Sequence, residues 1–143
     1  MSIHSDTGFA LHDVSAFPLV HTTGLERAPG SGIPWQQEMQ ALLARGERFV
    51  ILYPSFHEGE PPAPDAGTQA QLQQDRKARV LWLKQYRSQL AEFCKGLITI
   101  EPDDQRRAEE AARYPAMEKA FGVPLRVAAS RSDAEAMGRL LLA

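Results

Sequence analysis

Three times along the chain, a segment with apolar residues at helical spacing gives way to a glycine and then to a short apolar run. Residues 35–45 lead to Gly46 and Phe49-Val50-Ile51-Leu52-Tyr53; residues 80–95 lead to Gly96 and Leu97-Ile98-Thr99-Ile100. Residues 109–121 lead to Gly122 and Leu125-Arg126-Val127-Ala128-Ala129. A glycine just past a helix takes the left-handed conformation that other residues resist. Arg45 and Lys95 sit in last turns, where a cation suits the helix dipole. Short, largely apolar runs predict strands covered on both faces. Helices alternating with such strands predict parallel pairing through right-handed crossovers.

A first strand is predicted over 17–22, with a shorter one over 8–12 that would make a small N-terminal hairpin. The pattern as a whole predicts one α/β domain over residues 1–143. Its sheet is mostly parallel, with four or five strands and helices on both faces.

The helix over 75–95 carries an apolar stripe of Leu83, Tyr86, Leu90, Phe93 and Leu97, extended back by Val80. Asp75 and Arg79 are spaced to pair at i,i+4. Trp82 falls off that stripe beside Lys77, Lys84 and Arg87. Trp82, Lys84 and Arg87 are therefore the candidate partner-binding residues, since an aromatic beside basic residues suits a protein interface or an anionic ligand. Ser132-Asp133-Ala134-Glu135 reads as a capping box for the last helix. Asp103 or Asp104 is placed to cap the helix before it, and Pro115 should split that helix in two.

Residues 54–70 hold four prolines and two glycines and read as a long loop. Phe56 is its one large apolar anchor. Residues 53–58 are therefore expected to be held, and 59–67 to be mobile.

Composition narrows the functional classes. Sixteen Lys and Arg stand against eighteen Asp and Glu. That balance argues against a nucleic-acid binder, which needs a basic surplus. No apolar run approaches the length of a membrane span. The N-terminus has no basic start and no long apolar stretch, so no secretory signal is read there and a cytoplasmic location is expected. The single cysteine, Cys94, rules out an internal disulfide and reads as a small core residue.

In a parallel sheet, ligands bind outside the carboxyl ends of the strands. That rule selects His21, Thr22, Ser55, His57, Glu101 and Arg131 as candidate ligand-binding residues, with Thr23, Asp103, Asp104, Ser130 and Ser132 beside them. No catalytic residue is assigned. Ser55 lacks a glycine-flanked elbow, and the four histidines lack metal-ligand spacing. No glycine-rich phosphate loop follows a strand, so no metal or cofactor is expected. The rival is a small enzyme built on His21, Ser55, His57 and Glu101, where a histidine could serve as acid or base.

An opening hairpin followed by helix–strand–helix–strand–helix–strand–helix resembles the STAS-like domains of anti-sigma-factor antagonists and the STAS/Sec14 type, over residues 9–143. Pro124-Leu125-Arg126-Val127 with Ser132-Asp133-Ala134-Glu135-Ala136 looks like the closing strand and capped helix of that family. The resemblance implies a regulatory or ligand-binding module. It also implies a phosphorylatable serine after the central strand; the nearest position is Ser55, without the family's Asp-Ser context. The function expected is thus a binding or regulatory module acting through a protein partner or a small anionic ligand. Self-association with no separate ligand is a further alternative.

Overall fold

Strand β1 (His12–Asp13) runs antiparallel to β2 (Leu19–Thr22) and forms the N-terminal hairpin. Strands β3 (Phe49–Tyr53), β4 (Cys94–Ile100) and β5 (Leu125–Ala128) then add in parallel, so the spatial order follows the chain order. Among the described residues five helices accompany them: α1 (Gly32–Ala44), α2 (Ala66–Gln85), α3 (Arg87–Phe93), α4 (Asp104–Phe121) and α5 (Arg131–Leu142). This computed structural model describes residues 9–23, 28–54 and 65–143.

Parallel strands added in chain order through right-handed crossovers send every linking helix to the same face. Side-chain alternation along the strands agrees. Val20, Phe49, Ile51, Leu97 and Leu125 share one core with Trp35, Met39, Leu42, Trp82, Leu90, Tyr114 and Phe121. On the opposite face, Leu19, Val50, Leu52, Ile98 and Ala128 pack against Ala134 and half-buried Met137, Leu141 and Leu142. Among the described residues, α5 alone covers that second face. Gly138 lets α5 lie close: a Cβ there would come within 2.8 Å of Leu19 Cδ2 and 3.4 Å of Val50 Cγ1.

Gly46 and Gly122 take positive φ, at 67° and 74°, as helix-ending glycines should. Gly96 does not. It lies inside β4, because α3 passes directly into the strand at Cys94. Its missing side chain makes room for α5, since a Cβ would meet Leu141 Cδ1 at 2.6 Å.

Three other expectations are corrected. The helix expected over 75–95 is two helices, because Tyr86 leaves helical geometry at φ −99°, ψ 21°. Pro115 does not split α4, which runs unbroken with buried anchors, Tyr114 and Phe121, on the turns around the proline. The last helix is capped by Ser130, whose Oγ accepts from the Asp133 N–H at 3.1 Å, rather than by Ser132. Asp103 caps α4 as expected, accepting from the Arg106 N–H at 2.9 Å.

The loop also ends earlier than 70. Asp65 accepts from the Thr68 N–H at 2.7 Å and starts α2, so Gly67 lies in a helix rather than in the loop. Phe56 lies outside the described residues. No helix among the described residues is long and apolar enough to cross a membrane.

Candidate functional site

The carboxyl end of β2 carries His21 and Thr22, which alternation turns to opposite faces of the sheet. His21 faces α5. Its Nε2 lies 3.1 Å from Glu135 Oε2, and Arg131 Nε lies 3.6 Å from the same oxygen. Asp13 stands opposite His21 in the hairpin register. The Ser15 side chain and N–H hold the Asp13 carboxyl below the usual range; burial acts against them, and His21 and Arg131 add attraction. The fold thus brings two expected residues, His21 and Arg131, onto one carboxylate at the start of α5.

The other strand-end residues go elsewhere. Thr22 Oγ1 donates to the Leu52 carbonyl at 3.3 Å. Buried Glu101 builds the turn from β4 into α4: its Oε2 accepts from the Asp103 N–H at 3.0 Å, and its carbonyl accepts from Arg107 Nη1 at 3.1 Å. Strand β3 separates it from the His21 end of β2. His21 and Glu101 are therefore not neighbours, and the cluster drawn from the sequence is not assembled from them. Ser55 and His57 lie outside the described residues. No group of three or more His, Cys, Asp or Glu residues among those described is arranged to hold a metal ion.

On the helical layer, Trp82 is only 3% exposed and belongs to the core. Its ring packs edge-on against Trp35 at 5.3 Å and stacks on Tyr86 at 4.6 Å. That burial removes it as a contact for a partner. Arg87 is exposed but engaged, with Nη2 donating to the Lys119 carbonyl at 3.2 Å. Lys84 is exposed, and so is Lys77. Between them stands Leu81, 66% exposed. Residues 77, 81 and 84 are spaced i, i+4, i+7, so they share one face of α2.

One buried carboxylate, Glu38, escaped the sequence reading, and a second, Asp75, was read there only as a partner for Arg79. Glu38 on α1 accepts from the backbone N–H groups of Ala10, Leu11 and His12 at 3.0–3.1 Å, and His12 Nδ1 lies 2.9 Å away. Burial pushes the Glu38 carboxyl up, but these hydrogen bonds and His12 together hold it below the usual range. Asp75 on α2 accepts from the N–H of Gly30 at 2.8 Å and of Gly32 at 3.4 Å, and from Gln71 Nε2 at 3.1 Å. It thereby ties α2 to the start of α1. The available signal was Glu38 standing among Trp35, Met39 and Leu42 on an otherwise apolar face. No family model matches the chain, and comparison with curated proteins and with solved structures finds no match.

Proposed function

We propose that this protein is a cytoplasmic binding module that acts through a protein partner docked on the exposed face of α2. The observation that carries the reading is Leu81, 66% exposed with Lys77 and Lys84 one turn away on either side. A lone exposed leucine is ordinary. One framed by two cations matches a partner that offers an apolar side chain flanked by acidic residues. Lysine stems cover apolar surface while their charges stay in water, which adds area to such a contact.

The strand-end residues support this choice over the enzyme. His21, Thr22 and Glu101 each spend polar atoms on bonds within the chain. The reading also keeps the STAS-like resemblance as a proposal, since a hairpin followed by alternating helices and strands is the order of the described elements.

Sedimentation of the tagged full chain, drawn natively from its own source, tests this. The wild type is expected in a species heavier than its own oligomer. Leu81→Glu and Lys77→Glu/Lys84→Glu should lose that species, and His21→Ala should keep it. A heavy species untouched by the α2 variants, or none at all, would overturn the reading.

A further inference from the structure

Strand β5 forms one edge of the sheet, and its two halves differ. The Leu97 N–H donates to the Pro124 carbonyl at 2.9 Å, and the Glu101 N–H donates to the Ala128 carbonyl at 2.7 Å. In a strand the backbone groups of successive residues point to alternate sides, so residues 124, 126 and 128 face β4, while 125 and 127 face outward. At Leu125 the outward groups are taken. Its N–H donates to Glu118 Oε1 at 2.7 Å, and its carbonyl accepts from Arg126 Nη1 at 2.8 Å. The Glu118–Arg126 ion pair, 2.6 Å, closes that half with charge, a usual protection for an edge strand.

Val127 has no such cover. Its outward N–H and carbonyl have no partner among the described residues. Beside it runs an open groove of about 360 Å³, lined by Val127, Ala136, Met137 and Leu140 among others, with Arg107 and Asp133 also on its walls. Leu140 is 77% exposed, the most exposed large apolar side chain among the described residues.

We infer that the β5 edge is a self-association surface, occupied by β5 of a second copy running antiparallel about a two-fold axis at Val127. An antiparallel neighbour exchanges both hydrogen bonds between one residue pair. With Val127 on the axis, each copy supplies the N–H and the carbonyl that the other lacks. The open edge is a single residue long, which gives a foreign extended peptide little to hold. The groove carries one cation and one anion, so it complements its own copy rather than a partner of one sign. The two-fold contact is isologous, and the same operation brings Leu140 and Met137 towards their counterparts. This surface is separate from the face of α2, so either proposal can fail alone.

Sedimentation equilibrium of the purified full chain over a wide concentration range tests it. A reversible species of twice 15.9 kDa is expected. Val127→Pro deletes the outward N–H while leaving the ladder to β4 intact, a position where an edge strand tolerates proline. That variant should be monomeric with its cooperative thermal unfolding retained. Leu140→Glu, at an exposed position, should raise the dimer dissociation constant at least about tenfold, the size of one strong apolar contact. If Val127→Pro fails to fold, Leu140→Glu decides. A wild type that stays monomeric, even one whose edge takes an added extended apolar peptide, would overturn the inference. So would a dimer as tight in Val127→Pro and Leu140→Glu as in the wild type.

Discussion

Glu38 and His12 are joined twice: the His12 backbone N–H donates to Glu38 Oε1 at 3.0 Å, and His12 Nδ1 lies 2.9 Å from the same oxygen. Together with the N–H groups of Ala10 and Leu11, this one carboxylate fastens the N-terminal hairpin to α1. Breaking a buried, fully engaged charge costs about 3 kcal/mol or more. Glu38→Ala should therefore lower stability by about that amount, measured by urea unfolding. Hydrogen exchange at residues 10–12 should speed up most.

The same carboxylate sets an acid limit. Its pKa in the fold lies below its ordinary value, so its contribution is complete above the ordinary glutamate pKa, about 4.3. The contribution is lost as the pH falls through the lowered value. Stability measured from neutral to acid pH should fall less steeply in Glu38→Gln than in the wild type.

Gly46 and Gly122 separate backbone strain from crowding. A Cβ on Gly46 would meet nothing within 4 Å, so Gly46→Ala should cost only the left-handed penalty, about 1–2 kcal/mol. At Gly122 the new Cβ would also lie 2.9 Å from Arg87 Cγ. Gly122→Ala should therefore cost more than Gly46→Ala in the same denaturation series.

Gly138→Val places two methyl groups where Leu19 and Val50 already touch the helix. Overpacking of this kind costs about 1–3 kcal/mol. Because α5 is the one helix on its face of the sheet among the described residues, exchange should accelerate along α5 before it does along α1 or α4.

Cys94 offers a probe of the core. Burial pushes its thiol up to about 12, with the Gly96 carbonyl as its contact at 3.6 Å. The neutral thiol's contribution is complete below the ordinary thiol pKa, about 8.5, and is lost progressively as the pH rises from there through about 12. At mildly alkaline pH a thiol reagent should label Cys94 at the rate of unfolding and no faster. Rapid native labelling would contradict this burial.

The sheet was legible because strand runs and helix-ending glycines are local signals: the runs at 49–53, 97–100 and 125–128 are strands, and Gly46 and Gly122 end helices. Gly96 misled because a glycine needed for close packing in a strand looks the same as one ending a helix. Trp82 misled because the break at Tyr86 separates α2 from α3. A single stripe drawn through both helices favours Leu83, while α2 turns Trp82 inward. At the candidate site, the rule of strand carboxyl ends selected His21 and Arg131, which do meet at Glu135. It could not tell which polar groups would be spent on caps, as Glu101 is, because capping depends on the path of the chain after the strand.

The face of α2 is tested most directly by placing a photo-crosslinking amino acid at position 81 of the full chain in its own cells. One discrete adduct to an acidic protein segment is predicted, lost when Lys77 and Lys84 are both changed to glutamate. The same probe at exposed Glu109 on α4 should give no such adduct. The absence of any adduct at position 81, or an equal yield from position 109, would contradict the account.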